Sequence, residues 1–139
     1  MRKQCHNPYM PLWEHVPDGE PHVFGDRLYV FGSHDLENGN EFCEQDYVCW
    51  SAPVTDLSDW RCDGVIYKKE QDPYNQDALP LYAPDVVKGP DGRYYLYYCI
   101  KFQDSINVAV CDTPAGEYRF YGRVHYEDGR VMAENQPYD

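Results

Sequence analysis

Basic residues are scarce in this chain. Twelve Lys and Arg face 24 Asp and Glu, for a formal net charge of -12 at pH 7. Binding to nucleic acid needs a basic face that neutralises phosphates, and no such face is present, so nucleic acid is excluded as a partner. An anionic membrane surface is disfavoured on the same ground, and no apolar run approaches the length of a membrane span. No stretch keeps an apolar period of 3.6 for three turns, which argues against amphipathic helices. The N-terminus, Met1-Arg2-Lys3-Gln4-Cys5-His6, lacks the apolar h-region of a secretory signal, so the sequence predicts a cytoplasmic setting. None of the six cysteines (Cys5, Cys43, Cys49, Cys62, Cys99, Cys111) forms a C-x-x-C pair. The expectation is reduced, part-buried thiols rather than a disulfide framework or a metal site.

What the chain has in abundance is tyrosine, 14 residues, together with eleven prolines and ten glycines. That mixture favours short strands joined by tight turns. A motif occurs twice. Glu20-Pro21-His22-Val23-Phe24-Gly25-Asp26-Arg27-Leu28-Tyr29-Val30-Phe31 reads as a strand, a Gly/Asp turn and an aromatic strand. Pro84-Asp85-Val86-Val87-Lys88-Gly89-Pro90-Asp91-Gly92-Arg93-Tyr94-Tyr95-Leu96-Tyr97-Tyr98 repeats it with a longer turn. A carboxylate precedes each copy's strand, Glu20 in one and Asp85 in the other.

Each copy opens a unit of four predicted strands: 21–24, 27–33, 46–52 and 60–67 in the first, and 85–88, 93–101, 106–111 and 118–123 in the second. Ser51-Ala52-Pro53-Val54 and Cys111-Asp112-Thr113-Pro114 end the third strand of each unit alike. Repeated four-stranded antiparallel units are the signature of propeller blades. The sequence therefore predicts an all-β fold, with blade 1 at about 20–67, blade 2 at about 82–123, and 124–139 as the entry to blade 3. Two blades do not close a ring, and five need on the order of 300 residues. The expectation is the first two blades of a longer protein, with the isolated segment prone to self-association.

At these residues the chain resembles glycoside hydrolase family 43, the five-bladed propeller glycosidases. Asn7-Pro8-Tyr9-Met10-Pro11 opens the chain as members open. Glu20-Pro21 stands where the family has the Asp-Pro of its general base, and Tyr82-Ala83-Pro84-Asp85 followed by Tyr94-Tyr95-Leu96-Tyr97-Tyr98 matches the family's second blade with Tyr82 in place of Trp. The resemblance implies inverting hydrolysis of arabinose- or xylose-containing plant glycans such as hemicelluloses, by an α-L-arabinofuranosidase or β-xylosidase. Inversion uses two carboxyl groups roughly 6.5–9.5 Å apart, one activating water and one protonating the leaving oxygen. By resemblance, Glu20 is the general base and Asp139 modulates the pKa of a general acid that lies beyond this segment. Asp18, two residues before Glu20, stays open as an alternative base. His34, Asp35 and Asp85 are candidates for holding sugar hydroxyls, and Tyr82 for packing against a sugar ring. No cofactor or metal is expected within the segment, although the resemblance allows a central metal ion in the complete propeller. The expected partner is a glycoside or oligosaccharide. The segment alone is expected to be inactive, and a non-catalytic carbohydrate-binding propeller is the competing reading.

Overall fold

The computed structural model describes residues 7–133. Eight strands form two sheets. The first contains β1 (Glu20–Phe24), β2 (Arg27–Gly32), β3 (Tyr47–Pro53) and β4 (Arg61–Tyr67); the second contains β5 (Leu81–Lys88), β6 (Tyr94–Ile100), β7 (Ile106–Cys111) and β8 (Arg119–Arg123). Each sheet is a meander of four consecutive antiparallel strands, as the repeat predicted. The β1–β2 turn is tight because Phe24 pairs with Arg27, leaving two residues in the loop. Its first, Gly25, has φ 65, a conformation glycine adopts without the cost a Cβ would impose.

One strand starts earlier than its residues suggested. β5 begins at Leu81 rather than 85, because Leu81 and Tyr82 pair with Ile100 and Cys99 before a bulge that skips Ala83 and Pro84. Pro84 has no N–H to give the ladder, and Ala83 takes φ 44, so the irregularity falls where the chemistry of the strand demands it.

The two sheets stack face to face over an aromatic core. Phe24 meets Tyr94 edge-on with centroids 5.0 Å apart, and Tyr98 lies 6.0 Å from Tyr47 and 5.1 Å from Tyr67. Alternation along β6 buries Tyr94, Leu96, Tyr98 and Ile100 toward the first sheet and leaves Tyr95 and Tyr97 on the opposite face. The 68–80 connector is tied in by buried Asp72 and Asn75. Asp72 Oδ2 accepts from the Tyr98 hydroxyl at 2.5 Å and from Asn107 Nδ2 at 2.8 Å. Asn75 exchanges two hydrogen bonds with the Leu79 backbone. Between 124 and 131 the chain is turn-rich and holds one isolated bridge, His125 to Val131.

Because both sheets run the same way, the starts of β1, β3, β5 and β7 gather at one end. So do the segments entering them: the lead-in before Glu20, the 33–46 loop, the 68–80 connector and the 101–105 loop. Backbone-level ties across that end, Tyr47 hydroxyl to Tyr82 O at 2.9 Å and Ala83 N–H to Ser33 Oγ at 3.1 Å, fix the second sheet's register against the first.

Candidate functional site

The gathered end carries an open hollow of about 420 Å³ between the two sheets, lined by Pro17, Asp18, Phe42, Cys43 and Tyr82. The lead-in reaches it because β2 leaves room. Gly32 lies directly under Val16, so that any Cβ there would stand 2.0 Å from Val16 Cγ1. Glu14 anchors the lead-in further back. Its side chain is 5% exposed, with Oε1 2.6 Å from His34 Nε2 and Oε2 accepting from Trp50 Nε1 at 3.0 Å. Both carboxylate oxygens are thus engaged, and the segment from 14 to 18 is held against β2 and β3.

Asp18 has φ 56, a left-handed conformation that Asp tolerates better than most residues. Its Oδ2 accepts from Ser33 Oγ at 3.5 Å, and Ser33 in turn accepts from Ala83 N–H. Fully buried Ser33 thereby joins the Asp18 carboxylate of the lead-in to the bulge of β5. Across the hollow, burial and then the neighbouring Cys43 push the Tyr82 hydroxyl upward, so it remains a neutral donor at ordinary pH. Burial likewise pushes the Cys43 thiol up; a hydrogen bond with Ser33 opposes this, and the charges of Asp35 and Asp18 reinforce it. A thiol held protonated is a poor nucleophile, so the hollow offers a carboxylate, a phenol and apolar faces. That set suits proton transfer with a neutral, hydroxyl-rich ligand.

The other residues singled out in the sequence lie as follows. Glu20 is exposed at the first position of β1, opposite Phe31, and alternation puts it on the strand face shared by His22 and Phe24. It is not among the residues lining the hollow. Asp85 is exposed, bonded at 2.6 Å to His22 Nε2 and at 2.8 Å to its neighbour Val86 N–H. That pair bridges β1 and β5. His34 is occupied by Glu14. Asp35 Oδ1 accepts from Cys43 N–H at 2.7 Å, closing the 35–43 loop that presents Phe42. Asp139 lies outside the described residues. The structure therefore brings Asp18 and Tyr82 together, and sets His34 and Asp35 behind them as supports.

Ser33, Phe42 and Glu14 were not singled out from the sequence. Ser33 is adjacent to His34 but carries no motif of its own, and Glu14 reads as an ordinary loop acid. Among the described residues, no three His, Cys, Asp or Glu side chains converge as metal ligands would, and the five described cysteines are free thiols.

Residues 15–133 match the family described as Glycosyl hydrolases family 43. The chain is 61% identical over 137 residues to a xylosidase/arabinosidase of Thermoclostridium stercorarium, an alignment covering 98% of this chain and 29% of that protein. It is 33% identical over 124 residues to xylosidase/arabinosidase 43A of Humicola insolens, covering 78% of this chain and 36% of the relative. Among solved structures, RS223 β-xylosidase superposes with a TM-score of 0.65 at 28% identity, covering 78% of this chain and 36% of that one. An α-L-arabinofuranosidase of Clostridium thermocellum ATCC 27405 does so with a TM-score of 0.59 at 26% identity, covering 84% and 36%. The two sheets match part of the propeller in these enzymes, and the chain spans about a third of the relatives' length.

Proposed function

Because this chain belongs to glycosyl hydrolases family 43, we propose that the protein carrying it hydrolyses xylose- or arabinose-containing glycosides with inversion, and that Asp18 is its general base. In this reading Asp18 takes a proton from water, whose oxygen bonds to the anomeric carbon as the glycosidic C–O bond breaks. A carboxylic acid outside this segment protonates the leaving oxygen. Tyr82 packs against the sugar ring and offers its hydroxyl. Ser33 holds Asp18 in place, and Glu14 with His34 fixes the segment behind it.

The observation that carries the assignment is that Asp18, and not Glu20, lines the hollow beside Tyr82. Similarity to two proteins named xylosidase/arabinosidase supports the substrate class. Glu20 stands exposed at the start of β1, where its carboxylate is available to bind hydroxyls.

The test uses the protein with its complete propeller and aryl α-L-arabinofuranoside and aryl β-D-xyloside as substrates. Asp18→Asn is expected to lower kcat by about 10²–10⁴-fold, the usual contribution of a general base, and Glu20→Gln to cost less. The reverse order of effects would return the base role to Glu20. Wild-type binding of sugars without hydrolysis would support the carbohydrate-binding reading instead.

A further inference from the structure

Residues 35–46 carry five acids, Asp35, Glu37, Glu41, Glu44 and Asp46, and no Lys, Arg or His. Such a stretch repels itself, and cations from elsewhere must hold it. Two lysines do so. Lys69, in the connector, donates from its ammonium to Glu44 O and from its N–H to Asp46 Oδ1 at 3.0 Å. Lys101, just past β6, pairs its ammonium with Glu41. Lys69 thus holds the back of the loop, beside the start of β3. Lys101 holds its tip, and it comes from the second sheet.

The tip is built as a unit. Gly39 N–H donates to Leu36 O at 2.8 Å, and Glu44 Oε1 accepts from the N–H groups of Asn40 and Glu41 at 2.5 and 2.7 Å. Asn38 and Cys43 take φ of 61 and 58 on either side of it. Phe42 and Cys43, the two residues after Glu41, line the Asp18 hollow. The opposite wall, Tyr82, sits on β5 beside the Lys101 turn: Leu81 pairs with Ile100, and Lys101 N–H donates to Pro80 O at 3.0 Å. Moving the tip therefore moves one wall of the hollow against the other. The ends of the loop stay behind, because buried Ser33 and Tyr47 are bonded to β5.

The ion pair is partly sheltered, with the Lys101 side chain 21% and the Glu41 side chain 41% exposed. The ammonium also lies 4.9 Å from the Phe102 ring centroid, whose face favours a cation there. These features strengthen the pair beyond a fully solvated contact, while its access to water leaves it open to screening by salt.

We infer that Glu41 and Lys101 form a latch between the two sheets, positioning the Phe42–Cys43 wall and so setting how tightly a sugar is held beside Asp18. The inference rests on the glycosidase reading above and extends it. The pair acts through the wall and not on the reacting atoms, and it makes the affinity for an uncharged sugar sensitive to salt.

With the complete protein, KM and kcat would be measured on aryl β-D-xyloside and aryl α-L-arabinofuranoside between about 20 and 500 mM NaCl, where the Debye length falls from roughly 20 Å to roughly 4 Å. These substrates are uncharged, so salt does not act by screening their approach to an acidic chain. The wild-type KM is expected to rise about threefold across this range, with kcat within about twofold, because Ser33 and Glu14 hold Asp18 apart from the tip. Glu41→Lys and Lys101→Glu set like charges together, and each is expected to raise KM about fivefold at low salt. The protein carrying both changes regains an opposite-sign pair, and its KM should return to within about twofold of the wild type. Amide hydrogen exchange reads the latch without activity: residues 36–43 should exchange about fivefold faster in each single variant and at the wild-type rate in the double. Single-variant effects that multiply in the double, a fall in kcat at unchanged KM, or unchanged exchange would overturn the latch while leaving the glycosidase reading intact. Faster exchange in the variants of a protein inactive on both substrates would keep the latch and remove the glycosidase reading.

Discussion

Asp72 shows how much a single side chain carries here. At 2% exposure its carboxylate accepts from Tyr98, Asn107 and the Tyr74 N–H, and Tyr98 in turn meets the Tyr67 hydroxyl at 2.8 Å. The network joins the connector to strands of both sheets. Asp72→Ala leaves several buried donors without an acceptor, and is expected to cost about 3 kcal/mol in urea unfolding. Tyr98→Phe should cost about 1 kcal/mol, because it also removes one donor from the carboxylate. At the surface, Asp91 accepts from the Tyr95 hydroxyl and the Arg93 guanidinium, which hold its carboxyl down at about 2. A folded pKa below the unfolded value near 3.9 means that the contribution is present above about pH 4 and lost as pH falls toward 2. The difference in urea midpoint between the wild type and Asp91→Asn should therefore shrink over that interval. A gap independent of pH would show that the ion pair adds nothing.

At the level of elements, the lead-in and β2 act together. Gly32 is the only residue type that lets Val16 lie on the strand, since a Cβ would come within 2.0 Å of Val16 Cγ1 and 3.3 Å of the Pro17 carbonyl. Gly32→Ala should cost about 1–3 kcal/mol by overpacking and displace Asp18, two residues beyond Val16, with a fall in kcat for the complete enzyme. Val16→Ala in the same chain makes room and should recover part of the activity. No recovery would mean that the lead-in does not position Asp18. Much of the element structure was legible in the residues. The Gly25-Asp26 turn and the alternating tyrosines of β6 read directly as a hairpin and a two-faced strand. The start of β5 was not: Pro84 marks an irregularity, but that Leu81 and Tyr82 pair with β6 ahead of it, with Tyr82 O and Ala83 N–H bonded to Tyr47 and Ser33, is seen only in the fold.

For the molecule as a whole, the outer faces matter. Beyond the second sheet, Tyr97 and Tyr121 are 38% and 58% exposed and line two hollows with Tyr95. On the first sheet Val23 and Val65 are also exposed. These two faces differ, so copies of the 139-residue chain would meet head to tail in a contact that does not close on itself. Sedimentation of this segment alone is expected to show concentration-dependent association, reduced by Tyr97→Lys with Tyr121→Lys. A monomer at about 100 μM, well above weak-interface affinities, would sink the idea.

The residues alone determined the all-β class, the two repeated four-stranded units and the family resemblance, because period, turn chemistry and aromatic runs are local properties of the chain. They also marked Glu20, with Asp18 as the alternative base, together with Asp139, His34, Asp35, Tyr82 and Asp85, as site candidates. Only the tertiary structure decided which of them share a space. It set His34 against Glu14 and Asp35 against the Cys43 amide, and brought Asp18, Ser33 and Tyr82 together across 64 residues of chain. Such juxtaposition depends on how two sheets stack, and no local pattern encodes it.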